Sequence, residues 1–239
     1  MNAPATPKTE LSELAKIPVD GVELEGLLAI PQNAQGIVLF AHGSGSSRLS
    51  PRNNFVAETL RAAGIGTLLM DLLTKREDVL YRNRFDIDLL TWRLERATQW
   101  LMEEPRTQSF DLGYFGASTG AAAALHAAAT LGSLIGAVVS RGGRPDLAMA
   151  ALGSVQAPTL LIVGGLDDMV IELNRKAYEK LKAEKQLAIV PGATHLFEEP
   201  GTLQEVARLA AAWFRRHLGA QRAANRTVEP HGPTRGAES

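Results

Sequence analysis

The chain has 239 residues, of which 45% are hydrophobic and 21% charged, and these proportions predict one globular domain. Its formal net charge of −1 argues against nucleic acid as a partner, because nucleic-acid-binding domains usually carry an excess of basic residues. The composition contains no cysteine, which excludes disulfides, thiolate metal sites and a cysteine nucleophile.

The chain begins with a polar segment that lacks the apolar core of a secretion signal. We therefore interpret residues 1–16 as a flexible N-terminus and expect a cytoplasmic protein. The alanine-rich stretch 121–129 is too short to span a bilayer, so we expect no membrane partner. Residues 219–239 have no hydrophobic period, which predicts a disordered tail after a domain that covers residues 17–218.

Apolar runs and helical segments alternate along this domain, which is typical of a largely parallel sheet with connecting helices. It opens with a predicted hairpin, residues 17–19 and 22–30, around Asp20-Gly21. The predicted parallel strands are 36–41, 65–70, 111–115, 137–140, 159–163 and 186–190. The predicted helices are 50–63, 85–103, 119–131, 146–152, 172–183 and 202–218.

A charged, irregular segment, residues 73–84, follows the second parallel strand and could overhang a site at the sheet edge. The chain contains no insertion long enough to make a helical lid domain, so the sequence predicts an open, shallow site.

Gly116-Ala117-Ser118-Thr119-Gly120 is a G-x-S-x-G pattern between an apolar strand and an alanine-rich helix. A serine at the tip of a sharp strand-to-helix turn has an exposed hydroxyl, and the flanking glycines leave room for the turn. The five letters alone are weak evidence, but their context is specific. Ser118 is therefore the candidate nucleophile.

A serine hydroxyl needs a base, and in this architecture an acid and a histidine should follow the serine in that order. The strand at 159–163 is followed by Asp167 and Asp168, and we favour Asp167 because it comes first. The strand at 186–190 is followed by His195. Ser118, Asp167 and His195 are thus the predicted catalytic triad.

Acyl transfer also needs two backbone N–H donors for the developing oxyanion. Thr119, which follows the nucleophile, is the first predicted donor. The glycine-rich segment after strand 36–41 offers the second, which we assign to Ser44 with Gly43 as the alternative. His42, at the start of this segment, is expected to be structural and to bond the loop backbone.

The segments HGSGSS (42–47), GASTG (116–120), GGLDDMV (164–170) and GATHLFEE (192–199) resemble the α/β-hydrolase superfamily, specifically its dienelactone-hydrolase-like branch. This resemblance covers about residues 17–218. It implies an eight-stranded, mostly parallel sheet with helices on both faces, and hydrolysis through an acyl-enzyme. Dienelactone hydrolases proper use a cysteine where this chain has Ser118, a departure that favours a carboxylic ester over dienelactone itself.

Two arginines are candidate substrate-binding residues. Arg141 follows strand 137–140 and could pair with a substrate carboxylate, although an ion pair with Asp146 or Glu77 would explain it equally well. Arg48, after the glycine-rich segment, is the second candidate.

We therefore expect a serine hydrolase that cleaves a small carboxylic ester without metal or organic cofactor. A thioesterase or small-amide hydrolase would use the same site, and a non-catalytic ligand-binding module on the same fold is the alternative from another class. The expected partner is a small-molecule substrate, and the sequence leaves a homodimer open.

Overall fold

A computed structural model describes residues 9–219, which form one eight-stranded sheet in the order β1-β2-β4-β3-β5-β6-β7-β8. β1 pairs antiparallel with β2 and β2 with β4, whereas all other neighbours are parallel. The strands are β1 Thr9–Val19, β2 Val22–Pro31, β3 Gly36–Ala41, β4 Gly66–Met70, β5 Asp111–Ala117, β6 Ile135–Arg141, β7 Thr159–Gly164 and β8 Lys185–Val190. The predicted α/β-hydrolase fold, with its mostly parallel sheet, is confirmed.

Helices cover both faces of this sheet. One hydrophobic cluster joins α1 and α6 to one face, and another joins α3, α4 and part of α5 to the other. The helices are α1 Pro51–Ala62, α2 Lys75–Asp78, α3 Ile87–Glu103, α4 Thr119–Leu131, α5 Asp168–Lys180 and α6 Thr202–His217. Residues 9–219 contain no lid domain, as predicted, and none of their helices has the length and apolar character of a membrane span.

β3 illustrates why an uninterrupted apolar run becomes a central strand. Ile37 and Leu39 point into the cluster with α3 and α4, whereas Val38 and Phe40 point into the cluster with α1 and α6. Side chains alternate between the faces of a strand, so a strand that is covered on both faces must be apolar at every position. Each such buried side chain contributes roughly 1.5–3 kcal/mol of burial free energy.

The assignment of the first sixteen residues to a flexible N-terminus was wrong for residues 9–16. β1 begins at Thr9 and pairs along its length with β2, so that Leu14 lies opposite Leu27 and Ala15 opposite Gly26. Backbone pairing holds this edge strand although its outer side chains are exposed. The predicted tail falls outside the described residues from 220 onwards, and residues 1–8 also lie outside them.

Two further assignments differ. The helix predicted at 146–152 is replaced by two short 3₁₀ turns, Pro145–Ala148 and Leu152–Ser154. The segment 73–84, predicted to be irregular, contains α2 and enters the 3₁₀ turn Tyr81–Phe85. Thr74 and Glu77 form a reciprocal capping box, which stabilises the single turn of α2.

Candidate active site

The carboxyl ends of β3, β5, β6, β7 and β8 meet at one edge of the sheet because these five strands run parallel. A cavity of about 290 Å³ opens there. Its lining includes six of the predicted site residues: Gly43, Ser44, Ser118, Thr119, Arg141 and His195. Residues from four different loops thus converge on one cavity.

Ser118 occupies the turn between β5 and α4 with φ +51° and ψ −120°, a conformation that L-residues rarely adopt. Neighbouring backbone holds it there. The Ser118 N–H donates to the carbonyl of Arg141 at 3.2 Å, and the Ser118 carbonyl accepts from the N–H groups of Arg144 and Ala121, both at 3.1 Å. The loop after β6 therefore fixes the strained backbone of the candidate nucleophile.

The glycines of the G-x-S-x-G pattern are required by close backbone approach. A Cβ on Gly116 would lie 2.4 Å from the Cα of Ala121, and one on Gly120 would lie 2.2 Å from the carbonyl oxygen of Ala41. Real Cβ atoms do not approach so closely, so no larger residue fits either position without moving the backbone. The spacing of the pattern thus follows from the tight packing of β5, α4 and β3.

His195 and Asp167 form a direct pair, with 2.7 Å between Nδ1 and Oδ2. Asp167 precedes α5 and Asp168 is the first residue of that helix, where it is exposed. A Cβ on Gly164 would lie 2.5 Å from the carbonyl oxygens of Ala193 and Thr194. This glycine therefore allows the loop after β7, which carries Asp167, to contact the loop after β8, which carries His195. The structure therefore brings Asp167, and not Asp168, to the imidazole.

Because Nδ1 faces Asp167, Nε2 is the imidazole nitrogen left for Ser118. Within residues 9–219, Ser118 and His195 line the same cavity without a hydrogen bond between their side chains. Catalytic hydrogen bonds are often long in unliganded enzymes and shorten when substrate binds.

Glu199 holds the histidine loop, a role that the sequence reasoning missed. Its carboxylate accepts from the backbone N–H of Thr194 at 3.0 Å and from the Thr194 hydroxyl at 2.6 Å. These hydrogen bonds lower the pKa of Glu199. The available signal was a carboxylate four residues after the candidate histidine.

The two predicted oxyanion donors lie next to each other. Thr119 is the first residue of α4, where backbone N–H groups have no partner within the helix. The N–H of Ser44 donates to the Thr119 hydroxyl oxygen at 3.0 Å, and a Cβ on Gly43 would lie 3.1 Å from the Cβ of Ser118. The glycine-rich loop is thus packed directly against the nucleophile turn.

His42 has the structural role that was expected. Its Nε2 accepts from the N–H of Leu72 at 3.1 Å, so Nδ1 carries the proton and donates to the carbonyl of Gly43 at 2.9 Å. Burial lowers the pKa of His42, which keeps the imidazole neutral at neutral pH.

The prediction for Arg48 was wrong. Its guanidinium forms ion pairs with Asp71 and Glu25, and its backbone N–H also donates to Asp71 at 2.7 Å. Arg48 is not among the residues that line the cavity. Two carboxylates compensate its charge, so Arg48 connects the glycine-rich loop to β2 through Glu25 and to the end of β4 through Asp71.

Arg141 makes neither of the ion pairs considered for it. Glu77 pairs with Arg93 at 2.5 Å, and Asp146 pairs with Arg144 at 2.8 Å. Arg141 is 7% exposed and lines the cavity, where its guanidinium donates to the side-chain oxygen of Asn53 at 3.2 Å. Its Nε is buried and has no hydrogen-bond partner among the described residues.

Burial, followed by repulsion from Arg52, lowers the pKa of Arg141 to about 10, so the group stays charged at neutral pH. Within residues 9–219 no carboxylate pairs with it. Asn53, Arg52 and Arg144 also line the cavity, and the sequence reasoning did not assign them to the site.

Residues 73–84, which could overhang the site by the sequence, do not line the cavity, but Phe85 directly after them does. Phe85, 44% exposed, and Leu196, which follows His195 and is 40% exposed, are both among the cavity-lining residues. A Cβ on Gly45 would lie 3.7 Å from the guanidinium of Arg84, so the segment also contacts the glycine-rich loop. The described residues contain no group of three or more His, Asp or Glu side chains arranged to bind a metal.

Comparisons with known proteins identify the family of this chain. The model of the family "Dienelactone hydrolase family" matches residues 24–218. A crystal structure of dienelactone hydrolase from Anabaena variabilis is 57% identical and superposes with a TM-score of 0.85, over 87% of this chain and 98% of that chain. Est1E from Butyrivibrio proteoclasticus shares the fold with a TM-score of 0.74 at 16% identity, over 85% of this chain and 98% of that chain.

A curated Mycobacterium tuberculosis protein named "Putative phosphoribosyl transferase" is 59% identical over 197 residues. This match covers 82% of the present chain and 44% of that protein, so the chain spans less than half the length of this relative. The match of the family model over most of the chain, supported by the Anabaena structure, shows that the chain belongs to the dienelactone hydrolase family.

Proposed function

We propose that this hydrolase is a serine esterase that cleaves a small carboxylic ester through an acyl-enzyme intermediate. The observation that carries the proposal is the convergence of a strained, cavity-facing serine with the bonded pair of His195 and Asp167. A hydroxyl, an imidazole and a carboxylate at one sheet edge are the three groups that nucleophilic acyl transfer needs.

In the first step Nε2 of His195 takes the proton of Ser118 as the hydroxyl oxygen attacks the ester carbonyl carbon. Asp167 holds the other ring nitrogen and stabilises the imidazolium that forms. The oxyanion accepts hydrogen bonds from the backbone N–H groups of Thr119 and Ser44. Removal of one such donor typically costs roughly 3–4 kcal/mol of transition-state stabilisation.

Collapse of the tetrahedral intermediate breaks the bond to the alcohol, which leaves with the proton from His195. In the second step His195 takes a proton from water, and the resulting attack on the acyl carbon releases the acid and restores Ser118. No step requires a group outside the chain other than substrate and water.

The environment of Arg141 favours a substrate ester that carries a negative charge near the scissile bond. A buried guanidinium without a carboxylate partner is costly, and a substrate anion in the cavity would supply the missing charge. Arg52 and Arg144 also line the cavity and add positive potential, although each already pairs with a carboxylate, Glu198 and Asp146 respectively.

The cavity dimensions favour a short substrate. Its volume of about 290 Å³ lies at the small end for ligand pockets, and Phe85 and Leu196 provide an apolar rim.

The name of the M. tuberculosis relative belongs to a longer protein, and we assign hydrolysis to the segment that this chain shares with it.

A fluorophosphonate probe combined with p-nitrophenyl esters from acetate to decanoate tests the proposal. We expect covalent labelling of the wild-type chain, turnover that declines with acyl length, and loss of both in Ser118→Ala. Ser154→Ala is the matched control, since Ser154 is exposed and does not line the cavity, and it should keep both activities.

Each alternative gives a different result in the same assay. If the chain cleaves matched thioesters faster than oxygen esters, its function is that of a thioesterase. If it cleaves anilides faster, its function is that of an amide hydrolase. Absence of labelling and turnover in the folded wild-type chain would overturn the enzyme and favour a ligand-binding module.

A further inference from the structure

A single hydrogen bond joins the two parts of the candidate oxyanion hole. The backbone N–H of Ser44 donates to the hydroxyl oxygen of Thr119 across 3.0 Å, although the two residues are 75 positions apart. Thr119 is 3% exposed and both residues line the cavity beside Ser118. The side chain of one predicted donor residue thus holds the backbone donor of the other.

The peptide unit between Gly43 and Ser44 is also held from its opposite side. Its carbonyl accepts from Nδ1 of His42 at 2.9 Å and from the N–H of Ser46 at 3.2 Å. The carbonyl and N–H of a trans peptide point in opposite directions, so these bonds turn the Ser44 N–H away from His42. The Thr119 hydroxyl is the acceptor that meets it there.

The backbone on the Gly43 side of this peptide is closely packed. Gly43 contacts Ser118, and Gly120 of α4 packs closely against the carbonyl of Ala41, just before the glycine-rich loop. Ser44 itself is exposed, so without an acceptor on Thr119 its N–H would be free to turn from the site towards solvent.

We infer that the Thr119 hydroxyl is a positioning group for the second oxyanion donor. In the resting enzyme it accepts the Ser44 N–H and keeps that N–H directed at the cavity. When the tetrahedral intermediate forms, the hydrogen bond of the Ser44 N–H shifts from the Thr119 hydroxyl oxygen to the oxyanion. The peptide does not need to rotate for this change of acceptor. This inference rests on the proposed esterase function and adds a side-chain role for Thr119 to the backbone role assigned above.

Three substitutions distinguish the contribution of the Thr119 hydroxyl from that of the rest of its side chain. Thr119→Val removes the hydroxyl at nearly constant volume, Thr119→Ser retains it, and Thr119→Ala replaces the valine variant if that one does not fold. Thr159→Val is the control, because Thr159 is a fully buried threonine whose hydroxyl is bonded to Ala157 at the opposite end of the sheet.

The assay compares p-nitrophenyl acetate with its thiono analogue, in which sulfur replaces the carbonyl oxygen and is a poor acceptor for the hole. We expect Thr119→Val to lower kcat for the oxygen ester about tenfold, less than the loss caused by deletion of a donor, with KM within about twofold. The ratio of kcat/KM for the oxygen ester to that for the thionoester should fall. Thr119→Ser should restore both quantities, and Thr159→Val should change neither.

Several outcomes would overturn the inference. These are an unchanged or increased kcat in Thr119→Val, an equal loss on both substrates, and a failure of Thr119→Ser to restore the rate. A wild-type chain that neither hydrolyses the ester nor reacts with fluorophosphonate would instead overturn the proposed function, and the inference with it.

Discussion

The backbone N–H of Ser118 donates to the carbonyl of Arg141 across 3.2 Å, while the guanidinium of Arg141 faces the same cavity as the Ser118 hydroxyl. The end of β6 therefore has two roles. Its backbone holds the strained nucleophile turn, and its side chain brings an uncompensated positive charge to the site. Because the first role uses only the main chain, a substitution of the Arg141 side chain can test the second role separately.

We expect Arg141→Met to lower kcat/KM for mono-p-nitrophenyl succinate by about 10- to 100-fold, since a hydrogen bond to a charged group is worth roughly 1.5–3 kcal/mol. Turnover of the neutral p-nitrophenyl butyrate should change far less. Arg48→Met is the contrasting variant, because Arg48 pairs with Asp71 and Glu25 outside the cavity. It should lower stability without altering the preference for the anionic ester, and an equal loss on both esters in Arg141→Met would refute the binding role.

Asp167→Asn should lower kcat by a factor on the order of 10³ to 10⁴, because an amide cannot stabilise the imidazolium and favours the wrong tautomer of His195. Asp168→Asn is the neighbouring control. Since Asp168 is exposed and begins α5, its neutralisation should leave kcat within about twofold, as expected for a surface helix-end charge. Steady-state rates with p-nitrophenyl acetate decide the assignment, and a larger loss in Asp168→Asn would reverse it.

The free energy of unfolding should decrease as the pH falls below about 6.5, the ordinary pKa of histidine. The reason is that burial lowers the pKa of His42 below this ordinary value in the folded protein. The unfolded chain binds a proton at this residue at higher pH than the folded protein does, so acidification favours unfolding. His217, whose pKa is also lowered by burial, contributes with the same sign.

Urea unfolding at about pH 7.5 and about pH 5.5 measures this dependence through the free energy of unfolding. His42→Asn should reduce the difference between the two pH values, and His217→Gln should report the separate contribution of His217. A difference of the wild-type size in His42→Asn would contradict the assignment.

Gly120→Ala should destabilise the fold by about 3 kcal/mol or more, since the added methyl group would overlap the carbonyl oxygen of Ala41. Gly153→Ala is the matched control, because the nearest atom to a Cβ there is the Cε of Lys182 at 3.9 Å. Thermal unfolding compares the two variants. Equal melting temperatures would show that the contact between β3 and α4 relaxes at little cost.

The positions of the strands along the chain and the nucleophile turn could be predicted because each depends on local pattern. β3 is buried on both faces and is therefore apolar throughout, and Gly116 and Gly120 are the residues that the close approach of α4 permits. β1 was missed over residues 9–16 because its stability comes from pairing with β2, which a local hydrophobic pattern does not record.

The arginines show the same limit in the site itself. Arg48 and Arg141 both come after predicted strands, yet one pairs with two carboxylates and the other donates to Asn53. Their neighbours come from distant parts of the chain, so the spacing of residues could not distinguish the two environments.

The amino-acid sequence by itself determined the strands of the parallel sheet and the strand ends at which the serine, the acid and the histidine lie, because these follow from hydrophobic period and short-range steric demands. Only the tertiary structure decided that Asp167 contacts the imidazole, that Arg48 is neutralised while Arg141 is not, and that the Thr119 hydroxyl binds the Ser44 N–H. The reason is physical: each depends on distances between loops that the packed sheet brings together, and such distances have no counterpart in local sequence.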